Sequence, residues 1–122
     1  MPRLTRHQGL PVVELCAHPC ESPDLTEQCR RLMVQGGLAY RRLIIDLTAV
    51  SRVNGGVLGL LAGAWTRLGA RPGDVVLCVP DPMQREVFRV VHLDRLFTLC
   101  ESRDAAARLP YPEPAPVVVN AG

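Results

Sequence analysis

Apolar residues fall along this chain in blocks whose period changes. Residues 11–17, PVVELCA, are a first apolar run, and Leu4 to Gln8 ahead of it reads as a short edge strand. Leu43-Ile44-Ile45 and 74–79, DVVLCV, are continuous rather than alternating, which predicts strands covered on both faces. Between these runs the period becomes helical. Leu25, Cys29, Leu32 and Met33 share one helix face, and so do Val57, Leu61, Ala64 or Trp65, and Leu68. Met83, Val87, Val90 and Val91 are expected to be the buried stripe of a third helix. Phe97 to Cys100 predicts a last short strand, followed by a helix carrying Ala105, Ala106 and Leu109.

Punctuation supports this division. Ser22-Pro23-Asp24 signals a helix start, with Asp24 and Glu27 at capping-box spacing, and Gly36-Gly37 is expected to stop that helix. Asn54 can cap the second helix and Gly69 end it; Asp81-Pro82 opens the third. Ser102 caps the fourth, which Pro110 closes. Strands that alternate with helices build right-handed crossovers and parallel pairs, while the first two strands can pair antiparallel. The expected fold class is α/β: one domain over 1–109, a mixed sheet of four to five strands with Leu43–Leu47 central, and about four helices. Residues 110–122, PYPEPAPVVVNAG, read as a Pro-rich tail.

Composition narrows the classes. At 122 residues the chain has single-domain length and can bury a core unaided. Hydrophobic residues reach 48% but aromatics only 4%, so the core must be built from Leu, Val and Ala. All 14 basic residues are Arg, scattered among acidic ones, and the formal charge is only +2. That gives no basic face for nucleic acid and fits a GC-rich coding bias. No run approaches the length of a membrane span, and the N-terminus lacks a signal-peptide core, so a cytoplasmic location is expected. Five cysteines are an odd number, and free thiols are expected in a reducing compartment. Cys16, His18, Cys20 and Cys29 are zinc-ligand types, but the C-x3-C spacing is loose and no second pair follows. Neither a metal nor a cofactor is expected. No nucleophile elbow or phosphate-loop motif is present, so the chain does not read as an enzyme.

Three pieces together carry a resemblance. They are IDLTAVSRVNGGVLGLL (45–61), GDVVLCVPDPMQREVFRVVHLDRLF (73–97) and CESRDAAARL (100–109). In that order and spacing they resemble the STAS domain, the family named for sulphate transporters and anti-sigma-factor antagonists. The resemblance spans roughly residues 10–109 and implies a protein-binding switch. In the family an acidic residue and a phosphorylatable Ser or Thr usually stand where this chain has Asn54 and Gly55. Gly56 replaces the small hydroxyl residue that often follows, and His92-Leu93-Asp94 is the counterpart of a Gly-Leu-Asp-like turn. The Gly-Glu-Leu-Asp-like segment after the early strand is absent; Ala17-His18-Pro19-Cys20-Glu21 stands there.

A phosphate at a helix N-terminus is favoured by free N–H groups and the positive end of the dipole. Gly55 offers no hydroxyl, so position 55 is a degenerate phosphoacceptor; Ser51 is the nearest loop substitute. A simpler role for Gly55-Gly56 is to let the backbone turn tightly into the helix. The helix from Val57 is apolar on more than one face, and an exposed remainder would bind a partner. Arg52, Asn54, Gly55, Gly56 and Leu58 are the expected partner-binding residues. The function implied is an anti-sigma-factor antagonist that holds an anti-sigma factor, usually a serine kinase, and frees a sigma factor without phosphorylation at the usual site. The alternatives are a scaffold or decoy STAS protein in a signalling assembly, and a sensor of a nucleotide or anion at the helix start near Asn54. A homodimer is a further option.

Overall fold

Every residue of Leu43–Asp46 and of Val75–Cys78 is buried, as continuous apolar runs require when both faces of a sheet are covered. In the computed structural model, which describes residues 1–39 and 42–110, these are β3 and β4 of a five-stranded sheet. β1 (Arg3–His7) and β2 (Leu10–Glu14) form an antiparallel hairpin, and β5 (Thr98–Cys100) completes the spatial order β1-β2-β3-β4-β5. β2, β3, β4 and β5 run parallel, with Val13 beside Ile45 and Ile45 beside Leu77. The four helices are α1 (Pro23–Ala39), α2 (Gly55–Leu68), α3 (Pro82–Val90) and α4 (Arg103–Arg108). The expected mixed sheet and four helices are therefore the fold observed. Of the tail read at 110–122, everything after Pro110 lies outside the described residues.

Strand alternation divides the interior in two. Val13, Leu43, Ile45, Val75 and Leu77 face α1, α2 and α3 and pack with Cys29, Met33, Val57, Leu61, Ala64 and Phe88. Val12, Ile44, Val76, Cys78 and Cys100 face the opposite way and are covered by Ala106 of α4, with Ala105, Ala107 and Leu109 at its edge. Three successive crossovers to the same side of an in-order sheet put the first three helices on one face, as right-handed crossovers demand.

Three expectations need correction. The Gly36-Gly37 pair does not end α1, which continues to Ala39. These glycines serve close packing instead. A Cβ on Gly36 would stand 3.0 Å from Leu43 Cδ1, and one on Gly37 would stand 2.6 Å from Leu68 Cδ2. The gap they leave lets α1 approach β3 and α2. The α1 cap is Ser22, whose Oγ accepts from the Leu25 N–H at 3.1 Å, whereas Glu27 accepts from Arg30. Finally, the stripe of α3 points mostly outward: Met83 is 80% exposed, Val90 69% and Val91 45%, and only Val87 is half-buried against the core. The helix is anchored by Phe88, which is fully buried. One large aromatic fills the space in the main core that the smaller residues would have left partly empty.

The inner end of α4 is fixed by charge. The Arg103 guanidinium donates to Asp46 Oδ2 at 2.6 Å and to Glu14 Oε2 at 2.5 Å. Asp46 Oδ1 accepts from both the N–H and the hydroxyl of Thr48. Burial pushes the Asp46 carboxyl up, but the Thr48 donors and Arg103 outweigh it and hold it below the usual carboxylate range.

Candidate partner-binding site

The site lies at the carboxyl ends of β2 and β3, where two loops meet. The loop leaving β2 is held by the Leu15 N–H donating to Asp46 O at 3.1 Å, and the Ser51 N–H reaches across to Ala17 O at 3.0 Å. Val50 and Val53 are buried beneath, so the second loop is pinned to the core while Ser51, Arg52 and Asn54 stay exposed. Ala17, His18, Pro19, Cys20, Glu21, Ser51, Arg52, Asn54 and Val57 enclose an open cleft of about 650 Å³.

Asn54 forms the head of α2. Its backbone is extended (φ −114°, ψ −178°) and its Oδ1 accepts from the Val57 N–H at 3.0 Å. Asn54 O accepts from the Leu58 N–H at 2.9 Å. The N–H groups of Gly55 and Gly56 belong to the first turn and have no partner within the helix. No acidic residue stands in that turn to offset the dipole.

The glycines are not there for backbone freedom. Among the described glycines, those with positive φ are Gly9, Gly69 and Gly73, so Gly55 and Gly56 hold conformations open to any residue. The tight-turn role expected for them is thus corrected. A Cβ on Gly55 would meet nothing within 4 Å. Position 56 differs, since its Cβ would lie 3.3 Å from Cys20 Cβ and 3.4 Å from Cys20 Sγ. The degenerate position therefore faces open space, and the position after it is closed by the Cys20 loop.

The structure brings Arg52 and Asn54 together on the cleft, with Gly55 and Gly56 exposed at its rim. Leu58 does not join them as an exposed side chain; it is half-buried against the main core. Val57, Leu60, Leu61 and Ala64 are buried as well. The apolar surplus on α2 is thus only partly exposed, with Leu58 and Trp65 half-buried against the core, and Gly55, Gly59 and Gly63 of this helix each have room for a Cβ. Exposed apolar side chains cluster along α3 and its C-terminal cap, where Met83, Val90 and Val91, with half-buried Val87, line a shallow groove. Sequence periodicity found that stripe but not its direction. The one signal for direction was Phe88, the largest apolar residue of the helix, standing off the stripe.

At the far end of α3, His92 has φ 63° and ψ 19°, in the left-handed region that favours glycine. This is the first position of the turn read as Gly-Leu-Asp-like, so the structural requirement remains although the glycine is gone.

Among the described residues, no group of three or more His, Cys, Asp or Glu side chains is placed to hold a metal ion, and no helix is long and apolar enough to cross a membrane. No curated protein sequence matches the chain. Solved structures do. A STAS-domain anti-sigma-factor antagonist from Planctomyces limnophilus is similar at a TM-score of 0.63 and 21% identity, covering 87% of this chain and 95% of that one. An anti-sigma factor antagonist from Mycobacterium paratuberculosis has a TM-score of 0.61 at 26% identity, covering 88% and 90%. The Bacillus cell fate determinant SpoIIAA in its phosphorylated form has a TM-score of 0.61 at 22% identity, covering 90% and 100%. The STAS domain family matches residues 20–106, which contain the head of α2, the αL turn at His92 and the cleft residues from Cys20 onward. The chain belongs to the STAS domain family.

Proposed function

We propose that this chain is a protein-binding regulator of the anti-sigma-factor-antagonist type. It holds an anti-sigma factor, a serine kinase, at the cleft and the head of α2, and it frees a sigma factor without phosphorylation at that helix start. The observation that carries the reading is the open space at Gly55. The position that would bear the acceptor hydroxyl is exposed, is capped by Asn54 and needs no glycine, yet offers no oxygen. A solved structure of the same fold has a phosphorylated form, which supports reading this as a fold that can carry a phosphorylation switch. Arg52, Asn54, Gly55 and Gly56 make the contact. Leu58 supports it from beneath by fixing the first turn on the core. The reading is of a binding module in the cytoplasm and not of an enzyme.

The test is calorimetric titration of purified anti-sigma-factor kinases of the native cell with the wild-type chain and with Gly55→Trp. A Cβ at position 55 clashes with nothing, so the variant keeps its fold while its indole covers the head of α2. The expected result is a loss of at least about tenfold in affinity, about 1.4 kcal/mol. Equal affinity in a folded variant places the contact elsewhere.

A further inference from the structure

Five large apolar side chains are exposed among the described residues, and three of them, Met83, Val90 and Val91, stand together on α3 and its C-terminal cap. With half-buried Val87 they line the groove described above, whose one charged wall is Glu86. Met83, Val87 and Val90 recur at i, i+4 and i+7, so they form a single stripe, and Glu86 and Arg89 fall on one flank of it. Glu86 Oε2 accepts from Arg89 Nη1 at 3.2 Å, with both side chains more than half exposed. Such a pair adds little to a lone chain. Nor does the fold of a lone chain need the stripe, since Phe88 anchors the helix. A contiguous apolar surface with a polar flank marks a place of contact.

We propose that the occupant of this surface is a second copy of the chain, the two α3 helices pairing antiparallel about a two-fold axis at Val87. A two-fold interface sets one patch against itself, so residue i meets j and j meets i. An axis at Val87 seats Met83 of each copy against Val90 and Val91 of the other, and Val87 against its own counterpart. Glu86 stands one residue before the axis and Arg89 two after it, on the same flank. Glu86 of each copy therefore comes beside Arg89 of the other, and the ion pair is made twice. A parallel pairing would set Glu86 against Glu86 and Arg89 against Arg89, and would align the two helix dipoles. A foreign partner of either sign would meet one like charge on this flank, whereas a second copy matches both. A helix of nine residues falls short of the about 800 Å² per partner of a standard interface, so the pair is weak and follows concentration. None of the cleft residues lies on α3, so both clefts stay open in the pair.

The test is analytical ultracentrifugation of the full chain from about 10 μM to about 1 mM, at low salt to leave the charges unscreened. Dithiothreitol keeps the five thiols from cross-linking two chains. The weight-average mass should rise with concentration from 13.4 kDa towards twice that value. Amide NMR shifts that move on dilution should map to α3. Met83→Glu, with an unchanged circular dichroism spectrum, should stay monomeric throughout. Glu86→Arg alone and Arg89→Glu alone should each weaken pairing about fivefold or more, because attraction becomes repulsion at two symmetric places, and the double reversal should restore it. The wild-type dilution series decides the matter even where a variant does not fold. A wild-type chain that is monomeric at about 1 mM, a dimer that survives Met83→Glu, or single and double reversals that pair alike would each overturn the proposal. So would amide shifts of residues 111–122 that move in Met83→Glu at about 10 μM, which would make that segment the occupant.

Discussion

A single methyl group separates the roles of the glycines at 37, 55 and 56. A Cβ at 55 meets open space, so Gly55→Ser should leave stability within about 0.5 kcal/mol of wild type in urea unfolding. At 37 it would stand 2.6 Å from Leu68, and Gly37→Ala should cost about 1–2 kcal/mol, since overpacking exceeds the gain in helix propensity. The opposite sign is expected at His92, where His92→Gly relieves a positive φ and should raise the unfolding midpoint by the equivalent of up to about 1 kcal/mol. All three can be read from one set of denaturation curves. Sequence alone revealed that these positions are special, but not why. Gly36-Gly37 resembles a helix stop because the same residue type serves both to end helices and to let them approach closely. Only the neighbours Leu43 and Leu68, distant in sequence, separate the two uses.

Among the elements, α4 and α3 invite opposite tests. α4 is short and sits on a sheet face of its own, and Arg103 ties it to Asp46 and Glu14. Arg103→Ala leaves a carboxylate on the buried Asp46 without its cation and should cost about 2–4 kcal/mol near neutral pH. The Asp46 carboxyl titrates below its ordinary value in the folded chain. Its contribution to stability is therefore complete above the unfolded value of about 4 and is lost as pH falls through the lower folded value. Urea midpoints of wild type should fall as pH drops from about 5 to about 2, and the fall should be smaller in Arg103→Ala. On α3, Phe88→Ala should cost about 3–5 kcal/mol, whereas Met83→Glu should change stability by under about 0.5 kcal/mol. Equal losses at both positions would mean that the stripe, and not Phe88, anchors the helix. The sequence predicted the five strands and the four α-helices of the described residues because their periods are local. It misdirected α3 because a stripe of Met and Val has the same period whether it faces a sheet or water.

For the whole molecule, the mixed sheet with a central β3, the parallel crossovers and the capped head of α2 were legible from runs, caps and motif order. Asn54 caps α2 as its position and side chain imply, through the 3.0 Å contact to the Val57 N–H. The cleft was not legible, because it needs Ala17 to Glu21 and Ser51 to Asn54 to meet across parallel strands. Nor was the Arg103 bridge, whose partners are 57 and 89 residues away in sequence. What the assembled site presents is a STAS fold with its helix head exposed and no hydroxyl at position 55. The measurement that bears on this most directly is incubation with the anti-sigma-factor kinase proposed as its partner and ATP, followed by intact mass and a binding titration on the same sample. The account predicts a wild-type chain of unchanged mass that binds the kinase as well after ATP as before, and a phosphate on Asn54→Asp/Gly55→Ser. A phosphate on the wild-type chain, at Ser51 for instance, with loss of binding, would contradict it.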